Sequence, residues 1–327
     1  MLIFTLAVIV GLILLIWSAD QFVDGTASLA QHWGISPLII GMLIIGLGTS
    51  APEMLVAATA ALQGNPDLGI GNAIGSNITN ISLVLGATAL IVTLPIHSNI
   101  VKKELPLILL AGLLAWFLLY DGQFSRVDGA ILLACLFAAI MWMIYSSKKA
   151  SNSHDPLLEE SAEELPSEMP FKTSLFWMIT GLILLMVSSK MLVWGASNIA
   201  SALGISDLVI GLTIVAIGTS LPELAASINS VKKGEIDLAI GNIVGSNLFN
   251  TLGVLAIPAL ISPSIVSPSV LNRDMPIMIG LTVLLIVFGF GCFASARYKI
   301  VFWKGAIFLS LFIAYEGLLY YQTIHPS

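Results

Sequence analysis

Apolar positions gather along this chain in runs of about 20 residues, the length that crosses the hydrocarbon core of a bilayer as a helix. The runs fall at roughly 2–22, 37–62, 68–93, 104–120 and 126–145, then at 173–195, 206–231, 238–261, 275–294 and 300–321. They predict an all-α integral membrane protein of ten transmembrane helices, five on either side of one polar stretch. That stretch carries Asp155, Glu159, Glu160, Glu163, Glu164 and Glu168. It has no EF-hand spacing and reads as a solvated tether. The expected division is a five-helix unit at 1–145, an acidic linker at 146–172 and a second five-helix unit at 173–327.

Composition agrees with the pattern. The chain is 57% hydrophobic and 10% charged, with a mean hydropathy of +0.98, whereas a soluble domain has about 25% charged residues. The linker sets the sign of the net charge of −6, and no basic cluster points to nucleic acid. Cys135 and Cys292 lie in separate apolar runs with no CxxC partner, and read as small core residues. His32, His97, His154 and His325 sit at loops or termini with no zinc-type spacing. The first run has no basic residue before it, and Asp20 is its first charge, so it is expected to stay as a helix and not be cleaved as a signal.

The first run also recurs: Gly11-Leu-Ile-Leu-Leu15 is repeated at 181–185. Residues 11–92 superpose on 181–262 at a constant offset without gaps, with about 36 of 82 positions identical. The chain is a tandem duplication. Five helices per copy is an odd number, so the second copy must enter the membrane inverted. Charge supports this. With the N-terminus outside, the inner loops hold Lys102, Lys103, Lys148, Lys149, Lys172, Lys232, Lys233, Arg297, Lys299 and Lys304, and the outer loops only Arg126 and Arg273. Leu62-Gln63 in one copy is Lys232-Lys233 in the other, so equivalent turns lie on opposite faces. Both termini are then outside and the linker is cytoplasmic. Inverted repeats with broken helices at mid-membrane are a recurring transporter design.

The chemistry lies in two duplicated motifs. Gly48-Thr49-Ser50-Ala51-Pro52-Glu53 interrupts the second helix and Gly218-Thr219-Ser220-Leu221-Pro222-Glu223 the seventh. A carboxylate within a span costs several kcal/mol and marks a functional site. The proline before it lacks an N–H and pushes on the carbonyl four residues back, Gly48 or Gly218, so each helix should break there. The third and eighth helices carry Asn72, Ser76 and Asn80, and Asn242, Ser246 and Asn250, at a spacing that lines one face. Gly71, Gly75, Gly241 and Gly245 have the small-xxx-small spacing of close helix contacts.

Taken alone, such a stripe is interhelical glue. Duplicated and following a broken glutamate-bearing helix each time, it reads as half of an ion site written twice. The candidate ligands are Glu53 and Glu223, with the hydroxyls or amides of Thr49, Ser50, Ser76, Asn80, Thr219, Ser220, Ser246 and Asn250. Carbonyls near Gly46, Leu47, Ala216 and Ile217 add to the set. Two carboxylates amid many flexible oxygens suit Ca²⁺ better than Mg²⁺, and the same oxygens could hold Na⁺. Asp20 and Lys190 occupy equivalent positions near opposite faces, and Glu316 lies by the Tyr315, Tyr320 and Tyr321 belt. No nucleophile–base arrangement exists, and no enzyme activity or cofactor is expected.

These motifs resemble the Ca²⁺/cation antiporter superfamily, which includes the sodium/calcium exchangers, and most closely its short prokaryotic branch. The resemblance spans essentially the whole chain. It implies two inverted five-helix repeats, the sodium/calcium exchanger fold, with ions between helices 2, 3, 7 and 8 while long helices 1 and 6 slide to alternate access. It implies the inner membrane of a prokaryote, with the lipid bilayer and the transported ions as partners. Carried over residue by residue, Glu53 and Glu223 are the shared ligands, supported by Thr49, Ser50, Ser76, Asn80, Thr219, Ser220 and Ser246. Some relatives, including potassium-dependent exchangers, carry Asp where this chain has Asn250, which argues against K⁺ dependence. The expected function is exchange of Ca²⁺ for Na⁺ or H⁺. The alternatives are an antiporter for another divalent or a monovalent cation against H⁺, or a cation channel.

Overall fold

A computed structural model of the chain describes residues 1–33, 37–96, 100–151, 169–203, 216–291 and 298–324. Over these the chain is almost wholly helical. The first half contains α1 (Leu2–Trp33), α2 (Leu38–Leu62), α3 (Pro66–Ile91), α4 (Leu105–Leu119) and α5 (Arg126–Ser151). The second contains α6 (Phe171–Ala202), α7 (Ala216–Thr219 continued by Leu221–Lys232), α8 (Ile236–Ile261), α9 (Val270–Phe290) and α10 (Phe302–Ile324). Among the described residues, eight helices are long and apolar enough to cross a membrane; α4 and the described part of α7 are shorter. Residues 206–215, most of the acidic linker, Cys292, Arg297 and three of the histidines lie outside the described residues.

The sequence expectation ended the first helix near residue 22 and the sixth near 195. Both run further, to 32 residues each. At about 1.5 Å per residue that is roughly 48 Å, well beyond a hydrocarbon core of about 30 Å. Hydropathy misplaced the ends because a charged turn does not end a helix that stays paired. Lys233 Nζ lies 2.6 Å from Asp20 and 2.6 Å from Asp24, which lets α1 continue through its acidic residues.

The duplication is visible as a two-fold arrangement. The helices α1 and α6 pack antiparallel along their length at glycines that admit the opposing backbone. Gly25 faces Ser174 and Met178, and its copy Gly195 faces Phe4 and Val8, the copies of those two residues. Each half then lends its last helix to the other. Gly305 on α10 rests on Gly86 of α3, and Gly129 on α5 rests on Ala256 of α8. Two antiparallel strand pairs repeat this exchange: β1 (Leu94–Pro95) with β4 (Lys299–Ile300), and β2 (Gln123–Phe124) with β3 (Ser264–Ile265). The continuous core gathers around α3 and α8. Every residue from 238 to 249 is buried.

Candidate functional site

Both broken helices form as the prolines require. Ser50 (φ −80°, ψ 1°) and Ser220 (φ −90°, ψ 6°) leave helical geometry, and a new helical segment starts after each with its proline and glutamate in the first turn. The carbonyls freed by Pro52 and Pro222 find different partners. Ser50 N–H bends back to both Gly46 and Gly48, whereas the Gly218 carbonyl accepts the Ser189 hydroxyl of α6 at 2.7 Å. The copy of Ser189 is Ala19, which has no hydroxyl to offer.

The stripes on α3 and α8 turn towards these breaks. Ser76 Oγ donates to Glu53 Oε1 at 3.4 Å. The hydroxyls of Thr49 and Ser50 lie beside Glu223, and Glu53 is close enough to repel it. Ser246 Oγ donates to the Gly46 carbonyl at 3.3 Å and lies 3.3 Å from Thr49 Oγ1. Gly46 O also keeps its helical partner, Ser50 N, at 3.2 Å. Asn80 and Asn250 each open a π-helical stretch, Asn80–Leu85 and Asn250–Val254. Such bulges re-aim side chains and recur at functional sites. Thr219 is half-buried one residue before Ser220, and Ala216 opens the described part of α7; its side chain is outside the described residues.

The polar atoms brought together are left unsatisfied. Glu53, Glu223, Ser50, Asn80, Ser246 and Asn250 are at most 1% exposed. Yet Glu53 Oε2, both carboxylate oxygens of Glu223, the hydroxyls of Ser50 and Ser220, and both amide atoms of Asn80 and Asn250 have no hydrogen-bond partner. Among the described residues no Lys, Arg or His pairs with either glutamate. Two buried carboxylates with no positive charge beside them and few donated hydrogen bonds are very costly. A cation held by these oxygens removes that cost. The unpartnered atoms are carboxylate, hydroxyl and amide groups, whose oxygens are hard donors.

Asn242 is more central than the stripe alone indicated. Its Nδ2 donates to the Glu223 carbonyl at 3.1 Å and to Ser227 Oγ at 2.9 Å, and its Oδ1 accepts from Thr49 Oγ1 at 3.0 Å. The copy, Asn72, is only partly buried and donates to the Glu53 carbonyl at 3.3 Å. Nothing in the sequence singled out Ser227, since its copy is Ala57.

The two sides of the site differ. Where α2 crosses α8, Gly41, Gly46, Gly241 and Gly245 press backbone on backbone; a Cβ on Gly46 would lie 2.8 Å from Ser246 N. On the opposite side Gly71 is exposed and Gly75 half-buried, although Gly241 and Gly245 are buried. Ala226, Ser227, Asn229 and Ser230 on α7 are buried, and Asn229 Nδ2 donates to the Ile16 carbonyl of α1. On the equivalent part of α2, Leu55 is 53% exposed. The helices around the site are thus closely packed where α1, α2, α7 and α8 meet, and less buried at Leu55, Gly71 and Asn72.

Known proteins are similar to this chain over most of its length. The family model described as "Sodium/calcium exchanger protein" matches residues 3–145 and 173–321. The putative antiporter CaxA of Alkalimonas amylolytica is 48% identical over 98% of this chain and 99% of its own. The inner membrane protein YrbG of Escherichia coli is 43% identical over 87% of this chain and 88% of its own. Among solved structures, the sodium-calcium exchanger NCX_Mj soaked with Na⁺ and Ca²⁺ superposes with a TM-score of 0.80 at 35% identity, covering 95% of this chain and 96% of that one.

Proposed function

The chain belongs to the sodium/calcium exchanger family, transporters and not enzymes, and on that premise we propose that it is a secondary-active antiporter exchanging Ca²⁺ for Na⁺ or H⁺. The observation that carries the reading is the pair Glu53 and Glu223, both fully buried, with three of their four oxygens unpartnered. One divalent ion or two monovalent ions would neutralise the same two charges. Sharing them makes occupancy mutually exclusive, which is the requirement for antiport.

The binding set we propose is Glu53, Glu223, Thr49, Ser50, Thr219, Ser220, Ser76, Asn80, Ser246 and Asn250, with the carbonyls of Gly46 and Ala216. The lopsided burial suits a two-fold transporter caught open to one side. Exchanging the roles of the two copies would seal the α3–α7 side and open the α2–α8 side. With the N-terminus outside, as the Lys and Arg distribution argues, the approach past Gly71 and Asn72 faces out and the α2–α8 crossing closes the cytoplasmic route. The acidic linker 146–172 joining units 1–145 and 173–327 is then cytoplasmic.

The test is ⁴⁵Ca²⁺ uptake into proteoliposomes with an outward Na⁺ gradient, an outward H⁺ gradient or neither, alongside Glu53→Gln and Glu223→Gln. Uptake that needs one gradient and is lost in both variants supports antiport and names the coupling ion. Uptake with no gradient favours a channel. No Ca²⁺ movement by folded protein under any condition rejects Ca²⁺ as substrate.

A further inference from the structure

The duplicated motifs supply two nearly identical half-sites, but their supports are unequal. On one side Asn242, fully buried, is held by three helices at once. Its amide nitrogen bridges the Glu223 backbone and Ser227 on α7, and its amide oxygen takes the Thr49 hydroxyl of α2, with Ser246 Oγ of its own helix also 3.4 Å away. Ser227 is itself fully buried. A primary amide has a donor end and an acceptor end; the Glu223 carbonyl, which can only accept, fixes the Nδ2 end towards α7, and the Ser227 hydroxyl holds it there as a second acceptor. The Oδ1 end then meets Thr49, which is one of the two hydroxyls beside the Glu223 carboxylate. On the other side Asn72 has the matching bond to the Glu53 carbonyl. The position that would carry the second acceptor is Ala57, fully buried and without a hydroxyl.

We propose that Asn242, oriented by Ser227, is a positioning residue for the transported cation, setting Thr49 from α2 and Glu223 from α7 at the spacing the ion requires. Neither Asn242 nor Ser227 needs to touch the ion. The proposal rests on the antiport reading above. It makes the Glu223 half-site the better organised of the two, because Ala57 leaves Asn72 with one α7-type anchor fewer than its copy has.

Thermal unfolding of the purified full chain, titrated separately with Ca²⁺ and with Na⁺, measures affinity without transport. Ca²⁺ uptake in proteoliposomes then separates KM from maximal rate. Removing one buried hydrogen bond of about 0.5–1.5 kcal/mol predicts that Ser227→Ala weakens apparent affinity about 2- to 10-fold for whichever cation the wild type binds. Maximal rate at saturating cation should change less than about twofold, a split that a general loosening of α7 would not produce. Asn242→Ala should weaken affinity further. Ala57→Ser, which supplies the missing anchor, should strengthen it. Ser230→Ala, another buried hydroxyl on α7 with no hydrogen-bond partner, is the packing control and should leave affinity within about twofold. Equal losses in Ser227→Ala and Ser230→Ala, or unchanged affinity in folded Asn242→Ala, overturn the positioning role while leaving the antiport reading intact. A folded wild type stabilised by neither cation overturns both.

Discussion

At the scale of single residues, the site is defined by polar atoms that the protein does not satisfy itself. Asn250 is the most informative. It is fully buried with both amide atoms unpartnered, and it begins a π-helical turn whose Leu255 N–H reaches back to its carbonyl at 3.0 Å. Asn250→Asp would add a third carboxylate to a place where no cationic side chain pairs with the glutamates among the described residues. Without a divalent ion that charge should destabilise the fold, and with Ca²⁺ bound it should be neutralised. The expected outcome is a lower melting temperature in chelator and a larger Ca²⁺-induced rise than in wild type, read by thermal unfolding. Glutamates, hydroxyls and amides were legible as candidate ligands because charge and spacing announce them. Ser227 and Ser189 were not, because a lone serine in an apolar helix carries no signal until its acceptor or donor is in view.

At the scale of elements, proline placement and small residues decide where helices break and meet. The copies Gly75 and Gly245 stand at equivalent places in the same motif but in opposite surroundings. A Cβ at Gly245 would overlap the Met42 carbonyl, whereas one at Gly75 meets nothing within 4 Å among the described residues. Gly245→Ala should therefore force α8 away from α2, since backbone cannot yield as a side chain can, at a cost typical of overpacking, about 1–3 kcal/mol. Gly75→Ala should change the stability of this conformation by less than about 0.5 kcal/mol. Comparing the unfolding midpoints of the two variants checks this. A glycine motif tells that a close approach exists somewhere in the transport cycle; only the packed helices tell which copy is engaged.

At the scale of the whole molecule, the two copies run in opposite senses, as the antiparallel α1–α6 pair requires. Gln63 and Lys232 end equivalent helices and are both exposed. In a background with Cys135 and Cys292 replaced by alanine, Gln63→Cys should react with an impermeant thiol reagent from outside and Lys232→Cys only from inside. Reaction of both from one face would reject the inversion. The only basic partner of Asp20 and Asp24 among the described residues, Lys233, lies in the turn that follows Lys232. It thereby ties α1 to the α7–α8 turn, and the copy of Lys233, Gln63, cannot do the same for α6. These pairs are part-exposed and each contributes about 0–1 kcal/mol.

Patterned hydrophobicity and the gapless duplication determined by themselves that this is a ten-helix inverted-repeat membrane protein, and the two proline–glutamate motifs marked the cation site proposed between its halves. Each of those signals is local or periodic, so a linear chain can carry it. The ends of α1 and α6, the hydroxyl that closes on the Gly218 carbonyl, the Asn242 junction and the unequal burial of the two copies were decided by tertiary structure alone. All of these depend on which of two near-identical surfaces a partner meets. A duplicated sequence offers both surfaces equally, and only packing breaks the tie.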